Sequence, residues 1–142
     1  MIRVVLDANT LASAAVARPG GTLARLLDLW LARAFQVFLS PHIETELART
    51  LEDRYFVRRL SQAQRAGFLA LVRRRVTIVP ITTPLPGLAS HPEDDLVLAT
   101  AESVGAEYLV TGDQPLLQLG HFRGTTILSP RAFVERLEAE EP

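Results

Sequence analysis

Asp7, Asp113 and the triplet Glu93-Asp94-Asp95 are the residues whose type and position could carry chemistry. Asp7 directly follows the apolar run Arg3-Val4-Val5-Leu6, and Asp113 follows Tyr108-Leu109-Val110-Thr111-Gly112. Both runs read as buried strands. In open parallel sheets, ligands bind outside the carboxyl ends of strands, near the point where the strand order reverses. Two carboxylates at strand ends could therefore meet if the strands are neighbours. Either Asp alone fits a loop residue or a helix cap. Both together, with further acids, favour a site. The triplet precedes an apolar helix expected over 96–104, where acids also suit the helix start. Spacing separates its members. Asp94 shares a face with Leu98 and Ala101, so it is expected at the interior or a cleft wall, where a carboxylate needs a partner. Asp95 shares a face with Ala99 and Glu102 and is expected to be more exposed. Glu44 and Glu46 both flank the stripe Ile43-Leu47-Leu51, and periodicity does not choose between them.

Converging carboxylates raise one another's pKa values unless something compensates. The chain has no lysine and no cysteine, and His42, His91 and His121 are scattered without metal-ligand spacing. A hard divalent cation is the natural counter-charge, since carboxylate and water oxygens suit Mg²⁺ or Mn²⁺. Such an ion activates water and stabilises a leaving oxygen in phosphodiester hydrolysis.

The elements that must position these groups alternate between strand and helix. Strands are expected at 3–6, 35–39, 76–79, 108–110 and 126–128. Helices are expected over 10–16, 22–34, from Ser40-Pro41 through Leu51, from Ser61 to the Arg73-Arg74-Arg75 cluster, over 96–104, and from Ser129-Pro130 onward. Ser before Pro is a good helix start, because Ser caps and Pro fits the first turn. The segment 80–92, with Pro80, Pro84, Pro86 and Pro92, reads as a loop. Alternation of this kind predicts an α/β fold, a mainly parallel sheet covered on both faces. The 142 residues are expected to form a single domain, with an acidic tail fraying from about 138.

The net charge of −1 announces no partner. All fifteen basic residues are arginine, which a GC-rich genome explains. Eight of them (Arg49, Arg54, Arg58, Arg59, Arg65, Arg73, Arg74 and Arg75) share a stretch whose only acids are Glu52 and Asp53. That basic flank fits either a solvated helical surface or an anionic partner. Asp7 arrives too early for a secretion signal, and no apolar run approaches the roughly 18 residues of a membrane span. A cytoplasmic protein without membrane contact is expected, in keeping with the lack of disulfides.

The segment Val5-Leu6-Asp7-Ala8-Asn9-Thr10-Leu11-Ala12-Ser13-Ala14 resembles the opening of a PIN domain, in which a strand ends in Asp-x-Asn. Leu39-Ser40-Pro41 to Glu46-Leu47 is similar to that family's second acidic segment. His91-Pro92-Glu93-Asp94-Asp95-Leu96-Val97-Leu98-Ala99-Thr100-Ala101 resembles the third, and Tyr108-Leu109-Val110-Thr111-Gly112-Asp113 the fourth. Each motif alone is weak; four in order along nearly the whole chain are fairly specific. The nearest likeness is to toxin components of bacterial and archaeal toxin–antitoxin systems. The resemblance implies a three-layer α/β/α sandwich and an endoribonuclease dependent on Mg²⁺ or Mn²⁺. It implies Asp7, Glu46, Asp94 and Asp113 as the catalytic acids, with Asp7, Asp94 and Asp113 on the metal. Asn9 and Thr111 would orient carboxylates or water, and Asp95 would assist Asp94. It further implies an RNA substrate, an antitoxin protein whose tail enters the acidic pocket, and a homodimer. Arg49, Arg73, Arg74 and Arg75 would then hold the RNA backbone. Relatives often carry an acid where His91 stands and another where Pro115 stands, departures that bear on substrate contacts.

Rival readings fare worse. A haloacid-dehalogenase phosphatase needs a second Asp two residues after the first, where this chain has Asn9. A receiver domain needs a late lysine. A nucleotide-binding loop needs glycines after strand one, and Gly20-Gly21 comes too late. The rival from another class is a catalytically idle PIN fold that serves as a binding scaffold, because fold alone does not secure function.

Overall fold

A computed structural model of the chain describes residues 1–84, 87 and 91–140. In chain order the elements are β1 (Arg3–Leu6), α1 (Ala8–Ala15), α2 (Thr22–Leu31), β2 (Gln36–Leu39), α3 (Pro41–Thr50), α4 (Arg54–Val57) and α5 (Gln62–Arg75). These are followed by β3 (Val76–Ile78), α6 (Pro92–Val104), β4 (Tyr108–Val110), α7 (Gln114–Leu119), β5 (His121–Phe122), β6 (Thr125–Leu128) and α8 (Pro130–Glu140). The strands form one sheet in the order β3-β2-β1-β4-β6-β5, parallel throughout except for β5 against β6.

Successive residues of a strand face opposite sides of the sheet. Val4 and Val5 are both fully buried, as are Leu109 and Val110. The central strands are therefore covered on both faces, which is why they read as unbroken apolar runs rather than alternating ones. Phe133 of α8 packs edge-on against Phe35, with ring centroids 5.0 Å apart, and tilts over Tyr108 of β4. These rings join the last helix to the core around β1 and β4.

Local signals set several boundaries. The Ser40 side chain accepts from the Ile43 N–H at the start of α3, with Pro41 in the first turn. Ser61 and Gln64 exchange side-chain and backbone hydrogen bonds in a capping box that opens α5. Other boundaries differ from expectation. The second helix stops at Leu31, not 34, because Arg33 turns to φ 65°. There the Arg33 N–H donates to the Trp30 carbonyl and the Ala34 N–H to the Leu29 carbonyl, the Schellman arrangement. Helix α6 starts at Pro92, four residues before 96, while positions 85, 86 and 88–90 of the expected loop lie outside the described residues. Helix α8 spans Pro130–Glu140 and so includes the start of the acidic tail; 141 and 142 lie outside the described residues. The one-turn α4, the short α7 and the β5–β6 hairpin are additions to the expected elements.

Among the described residues no helix is long and apolar enough to cross a membrane.

Candidate active site at the carboxyl ends of the strands

Strands β1 and β4 are neighbours, with Leu6 opposite Val110, and the strand order reverses between them. β2 and β3 extend to one side, and β4, β6 and β5 to the other. Asp7 and Asp113 therefore emerge on the same edge at the switch point, the position where open parallel sheets bind ligands.

Both aspartates also cap helices. Asp7 Oδ1 accepts from the Thr10 N–H at 2.9 Å, and Asp113 Oδ2 accepts from the Leu116 N–H at 3.1 Å. Capping and a site role coexist, because each oxygen keeps a second lone pair. Thr111 ties the two together: its hydroxyl donates a short hydrogen bond to Asp7 Oδ2 and accepts from the Asp113 N–H at 3.0 Å. Thr111 is fully buried and Asp7 is 8% exposed. Burial pushes the Asp7 carboxyl above its ordinary value of 3.8. Its hydrogen bonds from Thr10 and Thr111 oppose this, and the neighbouring Asp113 charge adds to it. Asp94 is also raised, first by burial and then by the Asp113 charge, with His91 opposing and Asp7 adding.

A cavity of about 90 Å³ is lined by Asp7, Asn9, His42, Glu46, Asp94 and Asp113, among others. The structure thus separates the two glutamates that spacing left open. Glu44 pairs with Arg73 of α5 at 3.2 Å, whereas Glu46 faces the cleft and pairs with Arg49 on its rim at 2.6 Å. Asn9 is exposed at the cleft. His42 and Glu93 also line the cavity, Glu93 as a member of the acidic triplet and His42 as a residue to which the sequence assigns no role. For His42 the signal was present: it stands four residues before Glu46, on the same helical face. A second, larger cavity of about 470 Å³ adjoins the first, sharing Asp7, Asn9 and Asp113 and bounded by Ser13, Leu23 and Pro130.

Asp95 departs from expectation: it is 8% exposed, more buried than Asp94, and is not on the cavity wall. Glu102 marks that face as polar in the sequence, but it is largely covered and ion-paired to Arg123 of the β5–β6 turn, a hairpin beyond the expected elements.

The basic flank does not hold together either. Arg49 and Arg73 are ion-paired to Glu46 and Glu44. Arg74 and Arg75 border a groove with Gln36 and Thr77 toward the amino ends of β2 and β3, away from the carboxylates.

Oxygen donors suit a hard cation, but among the described residues no three acid or imidazole groups converge tightly enough to enclose one. The set fits an ion held by one or two carboxylates that keeps most of its waters, as Mg²⁺ commonly is.

The sequence model of the PIN domain matches residues 3–115, and the chain belongs to the PIN domain family. The fold is that of known structures. PAE2754 from Pyrobaculum aerophilum superposes with a TM-score of 0.69 at 20% identity, over 98% of this chain and 91% of that one. VapBC2 from Rickettsia felis, bound to a DNA fragment from their promoter, gives 0.60 at 18% identity over 89% and 97%. VapC20 of Mycobacterium tuberculosis, a Sarcin-Ricin loop cleaving toxin, gives 0.55 at 18% identity over 82% and 95%. No curated protein matches the chain by sequence.

Proposed function

We propose that this chain is an endoribonuclease dependent on Mg²⁺ or Mn²⁺ and the toxin component of a toxin–antitoxin pair. The observation that carries the reading is the gathering of Asp7, Glu46, Asp94 and Asp113 around one cavity at the switch point, two of them with raised pKa values. The family supports it, and so does the fold shared with VapC20. Asp7, Asp94 and Asp113 would hold the cation, directly or through water, and Glu46 would complete the acidic wall. When bound, the ion supplies a polarised water and offsets charge on the phosphate. The chain's own residues do the rest. Thr111 fixes the Asp7 carboxylate, and Asn9 offers an amide at the cleft for water or a phosphate oxygen. Arg49 at the rim would reach the RNA backbone on leaving Glu46. The partners in this reading are RNA, an antitoxin segment that fills the cleft, and a second copy of the chain; the work belongs in the cytoplasm.

A second reading is an idle PIN fold used as a scaffold. It is favoured by the open donor set and by the Arg49–Glu46 pair, which neutralises one acid. Calorimetric titration with Mn²⁺ separates the two. The expected result is binding by the wild type that is lost or much weakened in both Asp7→Asn and Asp94→Asn. Cleavage of structured RNAs by the wild type only should follow. A wild type that binds no Mn²⁺, with or without RNA, would leave the scaffold reading.

A further inference from the structure

The amino ends of the strands carry a groove that the carboxylate cleft does not use. It encloses about 200 Å³ between the ends of α2 and α5, and is lined by Trp30, Arg33, Phe35, Gln36, Arg74 and Arg75, among others. Among the described residues no acid is on its wall. The three arginines are exposed. Among the described residues the ion pairs engage Arg25, Arg49, Arg65, Arg73, Arg123 and Arg131, and none engages Arg33, Arg74 or Arg75.

The bland account is compensation of helix ends, because α2 and α5 both terminate here and arginine suits a carboxyl-terminal turn. The magnitudes do not match. Two helix ends bring about one negative charge in total, at roughly half a charge each, against three guanidinium groups. About two positive charges are left over. Arg33 takes its left-handed φ of 65° in the Schellman turn that ends α2, which sets its backbone beside the groove.

The chemistry of the groove narrows the ligand. Guanidinium forks match phosphate oxygens two at a time. Trp30 and Phe35 are 4% and 1% exposed, so neither ring offers a face for base stacking. We propose that this groove binds the phosphate backbone of a polynucleotide, without reading its bases, at the pole opposite the carboxylates. The proposal stands whether or not the cleft cuts RNA.

The test is fluorescence anisotropy with a labelled RNA hairpin in EDTA, which removes metal and cleavage from the readout. Arg33→Ala/Arg74→Ala/Arg75→Ala should weaken binding by about tenfold or more and flatten the slope of log affinity against log salt by about two units, since each neutralised phosphate contributes 0.7–0.9. Arg131→Ala, on α8 and paired to Glu135, is the matched loss of an exposed arginine elsewhere and should change little. Arg33→Gly guards against misfolding: it should bind RNA more weakly while melting at a higher temperature. Unchanged affinity and slope in the triple variant would overturn the proposal, as would an equal loss in Arg131→Ala. Displacement of the RNA by poly-glutamate as readily as by unlabelled RNA would assign the groove to acidic peptides instead.

Discussion

Thr111 shows how much one hydroxyl can do. Buried and bonded to both Asp7 and the Asp113 N–H, it sets the spacing of two carboxylates that repel each other. Thr111→Val keeps the shape and removes both bonds, leaving a buried acceptor and donor unmatched. We expect a loss of about 1–3 kcal/mol in urea unfolding, and weaker Mn²⁺ binding by calorimetry. Asp7 predicts a pH effect whose sign follows from its burial. Its folded pKa lies above 3.8, so the folded state favours the protonated acid. That contribution is full below 3.8 and is lost as pH rises through the raised value. In EDTA, Asp7→Asn should therefore gain stability over the wild type at pH 7.5, and the gain should shrink at acid pH. An advantage independent of pH would contradict the assignment. Asp7 and Asp113 were legible in the sequence because each directly follows an apolar run. Spacing alone does not rank Asp94 and Asp95, because Glu102 on the Asp95 face looks solvent-facing in the sequence yet is ion-paired to Arg123 of the β5–β6 turn.

Serine caps sharpened the boundaries of two helices, and other boundaries were less legible. Ser40-Pro41 and Ser61 marked α3 and α5 within a residue or two. Helix α2 lacks a glycine after its last turn, so its apolar rhythm reads on to 34, past the true end at Leu31. Arg33 takes the left-handed position instead, where a side chain costs about 1–2 kcal/mol relative to its usual conformation. Arg33→Gly relieves that cost and gives back part of it, about 0.4–1 kcal/mol, through greater freedom of the unfolded chain. A net gain of up to about 1.6 kcal/mol is expected in chemical unfolding. Helix α7 is capped by Asp113, with Pro115 in its first turn, but at six residues it is too short to show a helical rhythm in the sequence.

At the scale of the whole molecule, local patterns predict the layers but not the strand order. Nothing in 3–6 or 108–110 says that these runs adjoin; the order β3-β2-β1-β4-β6-β5 is set by how the helices pack on both faces. Phe133 is one of the side chains that hold this arrangement, fully buried between Phe35 and Tyr108. Phe133→Ala should cost about 3–5 kcal/mol and lower the urea midpoint accordingly. The arginine-rich stretch is not one surface: Arg49 pairs with Glu46 of the carboxylate cleft, whereas Arg74 and Arg75 border the groove toward the amino ends of β2 and β3.

A chain with net charge −1 looks inert in a long-range field. Its local charge is uneven nonetheless: Asp7, Asp94 and Asp113 line a cleft at the carboxyl ends of the strands, and Arg33, Arg74 and Arg75 border a groove toward the amino ends. The poles are separated by about 13 Å, four strand residues at roughly 3.3 Å each. That exceeds the screening distance of about 8 Å at physiological salt, so each pole then acts as a separate patch. Near 0.01 M salt the screening distance grows to about 30 Å. At that range the two patches merge with the other charges of the chain, so a polyanion would feel the arginine groove as a separate patch only at close approach or at moderate salt.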